Sequence, residues 1–130
     1  MSERHLRRAL AALAILAASL LAVSLSNRHA DTSHLMREVR NAGYSNVQEK
    51  GKFSVKVTAT VHNCTIGFDR DSTSGGPRTI NGHEVYPFNI SIVSPSGTWT
   101  PIRMGNAAPT PDELSAYLGQ HRRAYPCYRP

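Results

Sequence analysis

Two carboxylates offer the most promising chemistry in this sequence. Asp69 and Asp71 lie in the polar segment 69–73, directly after a predicted strand. Carboxylate oxygens at this spacing are typical of calcium-binding loops. The EF-hand pattern also requires Gly at the sixth position and Glu at the twelfth, where this chain has Ser74 and Ile80. The pattern therefore favours a polar turn over a calcium site.

The same segment reads D-x-D-x-T, which resembles the nucleophile motif of haloacid-dehalogenase-like phosphatases. That resemblance covers five residues and implies that Asp69 would accept a phosphoryl group. The remaining chain is too short for the parallel sheet that such a fold requires. A small secreted hydrolase is therefore the least favoured function, and a polar turn remains the better interpretation.

The histidines do not have the spacing of a metal site. His83 and Glu84 begin like the zinc-binding motif H-E-x-x-H, but its last position is occupied by Pro87. Five further histidines are scattered along the chain: His5, His29, His34, His62 and His121. Catalysis needs a nucleophile, a base or a metal held within mutual reach. We expect no catalytic residue, no metal, no cofactor and no enzymatic activity.

The C-terminal tail is rich in arginine and tyrosine, the residue types that interfaces favour. The tail residues of the predicted binding surface are Arg122, Arg123, Tyr125, Tyr128 and Arg129. Together with Asp69 and Asp71 in the polar loop, they form the candidate binding residues. The alternative is a tethered tail whose tyrosines pack within the domain.

The chain has two cysteines, Cys64 and Cys127. An even number of cysteines in an exported protein predicts a disulfide bond. Such a bridge would join a predicted strand to the tail and close most of the domain. Two separate thiols, one buried and one loose, are the alternative.

The N-terminal segment has the pattern of a targeting sequence. Residues 1–8 form a basic region with Arg4, Arg7 and Arg8, and residues 9–26 are almost entirely apolar. The length of the apolar segment fits both a cleaved signal sequence and a single transmembrane anchor. The basic flank predicts a cytoplasmic N-terminus and places domain 31–130 outside. The net charge of +6 includes no long basic run, so we expect a membrane and no nucleic acid as a partner.

The periodicity of residues 31–130 predicts an α+β domain of two layers. A helix over about 33–42 precedes three or four antiparallel strands and a second helix that starts near Thr110. Apolar residues alternate from Phe53 to Val61, from Cys64 to Phe68, and from Tyr86 to Ile92. A fourth strand starts at Trp99 and contains Pro101, which suits only an edge strand. Residues 69–84 are predicted to be a loop or the long tip of a hairpin.

The join between the first two strands leaves two alternatives open. A two-residue turn at His62 and Asn63 would pair Val61 with Cys64, and a bulge in one longer strand would also reverse the parity. The helices have clearer boundary signals. Gly43 fits a helix C-terminus, and segment 110–113 has the pattern of a capping box with Pro at the first helical position.

These features favour a non-enzymatic extracytoplasmic binding module that recognises a protein or an envelope component. One alternative is the same module, freely secreted after cleavage. Another is an assembly subunit, because an apolar N-terminal helix, an antiparallel sheet and a C-terminal disulfide resemble a type IV pilin. The chain lacks the pilin motif of Gly before the apolar run and Glu inside it.

Overall fold

The computed structural model describes residues 3–51, 54–70 and 76–130; the side chains at 17, 18 and 20–30 lie outside the description. The described chain forms an α+β domain with a five-stranded antiparallel sheet and a C-terminal helix. Its elements, in order, are α1 (Glu3–Asn41), β1 (Gln48–Lys50), β2 (Lys56–Val61), β3 (Cys64–Arg70), β4 (Arg78–Ile80), β5 (His83–Val85), β6 (Phe88–Val93), β7 (Trp99–Pro101) and α2 (Pro111–Gln120).

Helix α1 is a single helix that includes both the predicted N-terminal segment and the predicted helix at 33–42. Its C-terminus is a Schellman motif centred on Gly43, which has a φ of 104°. The Gly43 N–H donates to the Arg40 carbonyl at 2.9 Å, and the Tyr44 N–H donates to the Val39 carbonyl at 3.3 Å. The predicted role of Gly43 is therefore confirmed.

The N-terminal half of α1 carries large apolar side chains that are exposed: Leu6, Leu10, Leu13, Ile15 and Leu16. Among the residues that the structure describes, no helix is both long and apolar enough to cross a membrane. The predicted membrane segment 9–26 lies partly outside those residues, because several of its side chains are not described.

The β2–β3 hairpin has the register that the alternation of apolar residues predicts. Val61 lies opposite Cys64, and the pairs continue inward along both strands. His62 and Asn63 both have positive φ, at 45° and 70°. Positive φ at both central residues defines the type I′ turn, whose twist matches that of the flanking strands. The predicted two-residue turn is therefore confirmed, and the alternative of a bulge in one longer strand is wrong.

The sheet has the order β1-β2-β3-β6-β7. Pro101 lies in β7 at an edge of this sheet, as its missing N–H requires. Strand β1 was not predicted, because its three residues are all exposed and carry no apolar signal. Phe53, the predicted start of the strand observed as β2, lies outside the described residues. Tyr86, the predicted start of the strand observed as β6, precedes that strand and is 41% exposed.

Of the two alternatives predicted for residues 69–84, the loop is wrong and the long tip of a hairpin is confirmed, because β3 and β6 pair antiparallel on either side of the segment. Strand β3 continues to Arg70, and β4 and β5 form a separate two-stranded hairpin. Asn81 and Gly82 both have positive φ, so this hairpin also turns through a type I′ geometry. Ile80 and Val85 anchor the hairpin in the core, at 4% and 0% exposure. Two isolated apolar residues were too short a pattern to predict these strands.

The core lies on one face of the sheet and is covered by helices. Leu35 and Val39 of α1 and Leu114 and Leu118 of α2 are fully buried with Phe68 of β3. The start of α2 is fixed by its capping box. The Glu113 N–H donates to the Thr110 hydroxyl at 3.2 Å, and that hydroxyl contacts the Glu113 carboxylate at 3.3 Å. One apolar face on the sheet and one on each helix produce the predicted two layers.

Cys64 and Cys127 form a disulfide bond, with their Cα atoms 5.1 Å apart. The predicted bridge is therefore confirmed. It ties the first residue of β3 to the tail across 63 positions of sequence. Two hydrogen bonds support the same attachment. The Arg129 N–H donates to the His62 carbonyl at 3.1 Å, and the Asn63 side chain donates to the Cys127 carbonyl at 3.4 Å.

Replacing both Cys64 and Cys127 with Ala should lower the free energy of unfolding by about 4 kcal/mol, because the bridge restricts a large loop of the unfolded chain. Urea denaturation of oxidised wild type and of the variant measures this difference. Reduced wild type is the matched control, because it lacks the bridge but keeps both side chains. Equal urea midpoints for the oxidised and reduced wild type would contradict the expectation.

Candidate functional site

The second face of the five-stranded sheet, here called the outer face, is open over most of its area. Because side chains alternate along a strand, the residues between the core positions all point to this face. Exposed examples from four strands are Lys50, Thr60, Thr65 and Asn89. The outer face is therefore the broadest surface on which the fold could present side chains to a partner.

One aromatic ring lies on the outer face, that of Trp99. The register pairs Trp99 with Val93, which places the indole on the outer side of edge strand β7. A Cβ atom added at Gly67 would overlap three atoms of the indole, Cζ3, Cε3 and Cη2. The ring therefore packs directly against the backbone of β3. Thr58 and Ser91 flank Gly67 in register and are only 5% and 8% exposed, which we attribute to the same ring.

Two lysines lie beside the indole. Lys56 Nζ is 5.0 Å from the centroid of the Trp99 ring, a cation–π distance. Lys50 is the cross-strand partner of Lys56, and like charges placed opposite each other are unfavourable. Within the described part of the chain, neither ammonium group forms an ion pair within 4 Å. Asp69, the partner of Lys56 on β3, lies on the same face, so the three side chains carry a net positive charge of one.

The indole and Lys50 border a groove of about 530 Å³, and Lys56 lies beside it, next to the indole. Its other polar walls are Thr58, Asn63, Thr65 and Ser94. A second groove of about 550 Å³ is more apolar and is bordered by Tyr125 and Pro126 of the tail. The two grooves are neighbours, because both are bordered by the same five residues: Asn63, Val93, Ser94, Pro95 and Cys127. The first groove, here called the tryptophan groove, extends from Lys50 to the disulfide.

The tyrosines of the predicted binding surface mainly attach the tail. Tyr128 is half-buried, and its hydroxyl lies 3.1 Å from the position of a Cβ added at Gly119. Its ring centroid is 5.3 Å from that of His62. Burial, followed by a hydrogen bond to Tyr117, raises the pKa of Tyr125. These contacts match the tethered-tail alternative for the tyrosines.

The charged members of the predicted surface are less constrained. Arg122, Arg123 and Arg129 are exposed. Asp69 is half-buried, and its Oδ1 has no hydrogen-bond partner among the described residues. Asp71 lies outside the described residues. Binding by these residues stays a prediction.

The structure does not bring the two halves of the predicted surface together. The tail is fixed to Cys64 at the start of β3, and Asp69 lies five residues further along the same strand. At about 3.3 Å per residue, these positions are about 17 Å apart. The tail arginines and Asp69 therefore lie at opposite ends of the strand. The tryptophan groove lies between them.

A second polar cavity lies on the helix side of the sheet, between α1 and the region of β5. It measures about 250 Å³ and is bordered by His34, Arg37, Glu38, Asn41, Glu84 and Tyr86. Glu38 is only 3% exposed. Burial raises the pKa of its carboxyl, and the charges of His34 and Arg70 oppose that shift. Among the described residues, no three His, Cys, Asp or Glu side chains cluster closely enough to hold a metal ion.

Sequence reasoning missed the tryptophan groove, although one signal pointed to it. An isolated glycine within a strand marks a close approach by another group, and Gly67 interrupts β3 between Ile66 and Phe68. The partner could not be identified from sequence, because Trp99 is 32 positions away and belongs to a strand that is not adjacent to β3. No family model, no curated protein and no solved structure matches the chain.

Replacing Gly67 with Ala should displace Trp99 and lower the free energy of unfolding by about 1–3 kcal/mol, because the new methyl group overlaps the indole. Trp99 is the only tryptophan, so its fluorescence reports the displacement directly. The same change in a Trp99→Ala background should cost much less. Gly105→Ala is the matched control, since no atom lies within 4 Å of an added Cβ there. Equal costs in both backgrounds would contradict the proposed packing.

Proposed function

We propose that this protein is a non-enzymatic binding module that works outside the cytoplasm and recognises an acidic glycan of the cell envelope. The observation that carries the proposal is the indole of Trp99, packed on Gly67 next to the unpaired Lys50 and Lys56. The tryptophan groove is the binding site. Residues 9–26 anchor the module in the membrane or direct its export.

The chemistry of the groove supports this ligand class. An indole provides a flat apolar surface against which the C–H face of a sugar ring can stack. Hydroxyl and amide groups at Thr58, Thr65, Asn63 and Ser94 can exchange hydrogen bonds with sugar hydroxyls. The lysines add the positive charge that carboxylate or phosphate groups on the glycan require. A mainly apolar concave surface with a few convergent polar groups is typical of ligand sites.

The proposed location rests on two features. The basic residues before position 9 and the apolar run after them have the pattern of an export segment. The Cys64–Cys127 bridge is of the kind that persists in oxidising compartments. The N-terminus would remain in the cytoplasm and domain 31–130 would lie outside. Cleavage after the apolar run would produce the same module in freely secreted form.

A second candidate function is a subunit of a filament or other assembly. The observation that favours it is the continuity of α1. Its C-terminal half packs in the core, and Leu6, Leu10 and Leu13 are exposed in its N-terminal half. An exposed apolar helix joined rigidly to a sheet could pack against copies of itself. The absence of a pilin cleavage motif leaves this function second to glycan binding.

The binding proposal predicts that acidic oligosaccharides quench the fluorescence of Trp99. Hyaluronate oligosaccharides are a suitable probe, and the same oligosaccharides with reduced carboxyl groups are the neutral control. Removing both ammonium groups by K50A/K56A should weaken binding of the acidic probe by about tenfold or more and abolish its dependence on salt. Trp99→Ala should reduce binding of both probes, measured by calorimetry.

R40A/R103A is the matched control for charge, because these two arginines are exposed, lie outside the groove-lining residues and leave the lysines in place. Its affinity for the acidic probe should equal that of wild type. Equal weakening by the arginine and lysine variants would show that binding depends on net charge and would overturn the assignment of the groove.

The location predicts that a reporter fused after Pro130 is active only outside the cytoplasm, because the basic residues retain the N-terminus inside. Sequencing the mature N-terminus in the native membrane separates the alternatives. An intact N-terminus identifies an anchor, a cut after the apolar run identifies a secreted protein, and a cut before it favours the assembly subunit. A reporter active only in the cytoplasm would overturn the proposed location.

A further inference from the structure

The second groove, of about 550 Å³ and here called the apolar groove, differs in chemistry from the tryptophan groove. Most of its border is apolar: Ile92, Val93, Pro95, Ala124, Tyr125 and Pro126. Among the described residues, none that borders it carries a charge. A concave and mainly apolar site of this volume is typical of small-molecule pockets. The apolar groove therefore suits the hydrocarbon part of a ligand better than a sugar ring.

The apolar groove opens on the helix side of the sheet. Because side chains alternate along a strand, the register shows which face each residue occupies. Ile92 lies opposite Ile66, which is fully buried in the core, and therefore points to the helix side. Thr100 lies opposite Ile92 and shares that side. Trp99 points to the outer face, so the two grooves begin on opposite faces of the sheet.

The two grooves meet where the sheet ends. Strand β6 ends at Val93, which lies opposite Thr65 near the start of β3. The β2–β3 turn and the β6–β7 turn therefore lie side by side, beyond the last paired residues of the two strands. Asn63 of the first turn and Ser94 of the second border both grooves. One ligand can therefore extend around this end of the sheet, with a different group in each groove.

We propose that the ligand of this protein is an amphiphile, in which an acidic glycan carries a hydrocarbon chain. The glycan occupies the tryptophan groove and the chain occupies the apolar groove, so this ligand class depends on the proposed function. Charge complementarity sets the direction of the ligand. Lys50 borders only the tryptophan groove, and Lys56 lies beside it. The acidic end therefore lies near the lysines, and the uncharged end lies beside Tyr125 and Pro126 of the tail.

The tail provides an apolar wall that is open to water. Ala124 and Pro126 are exposed, and Tyr125 is half-buried beside Tyr117, with the ring centroids 6.3 Å apart. The disulfide at Cys127 fixes this wall against the sheet. A bound chain would cover apolar surface that the free protein exposes, and removing such surface from water is favourable. The wall is already in place before the ligand binds, so little ordering of the tail opposes binding.

Hyaluronate oligosaccharides with methyl, butyl or octyl aglycones test the proposal, in calorimetric titrations of the full-length chain below the onset of micelle formation. Each methylene that becomes fully buried should tighten binding about three- to fourfold. The octyl compound should therefore bind at least about tenfold more tightly than the methyl compound. Trp99→Ala should weaken binding of both compounds by the same factor, because the indole contacts only the glycan.

A charge on the wall of the apolar groove should remove the gain from the chain. Ala124→Asp places a carboxylate beside the hydrocarbon, which is costly to desolvate, so the octyl and methyl compounds should bind this variant with similar affinity. Its affinity for the methyl compound should equal that of wild type, because Ala124 lies outside the tryptophan groove. Ala116→Asp, at an exposed position of α2 outside both grooves, is the matched control and should retain the full gain.

The results separate the amphiphile from the glycan site. Equal affinities of wild type for the methyl and octyl compounds would overturn the amphiphile and leave the glycan site intact. An undiminished octyl gain in Ala124→Asp would also overturn it, because the chain would then lie elsewhere. Absence of binding by all three compounds would overturn both the amphiphile and the glycan site. A gain that grows with chain length and disappears only in Ala124→Asp supports the proposal.

Discussion

The register of the β2–β3 hairpin is the constraint on which the rest of this structure depends. His62 and Asn63 adopt positive φ, and this two-residue turn pairs Val61 with Cys64. Because side chains alternate along strands, the turn decides which residues of β3 enter the core. A slip of one position would move Phe68 to the open face and put Gly67 into the core. Asn and His are among the non-glycine residues that adopt positive φ most readily, so this dipeptide is compatible with the turn.

Strand β3 contacts three parts of the domain: the C-terminal tail, the tryptophan groove and the helix side that contains Glu38. Its first residue, Cys64, holds the tail at one end of the tryptophan groove. Its central residue, Gly67, provides the flat backbone on which Trp99 lies. Its last residue, Arg70, acts on the carboxyl of Glu38 on the helix side. The two faces of this one strand thus contact chemically different surroundings, the indole and the lysines on one side and the buried carboxylate of Glu38 on the other.

The sequence predicted what local patterns determine. The hairpin register, the Gly43 helix end and the capping box at Thr110 each depend on residues within a few positions of each other. The disulfide was predictable from the even number of cysteines together with the export that the N-terminal segment predicts. Strand β1 was not, because its three residues are polar and exposed. The β4–β5 hairpin was not, because Ile80 and Val85 become buried only through packing against distant residues. The groove depends on contact between Gly67 and Trp99, which no local pattern encodes.

Glu38 and Glu113 show how two carboxylates in different environments make opposite contributions to stability. A hydrogen bond from Asn106 lowers the pKa of Glu113, so its contribution to stability is present above its ordinary pKa and is lost as the pH falls. Burial raises the pKa of Glu38, so the folded state binds its proton more tightly than the unfolded state. Stability therefore decreases as the pH rises above the ordinary value of 4.5.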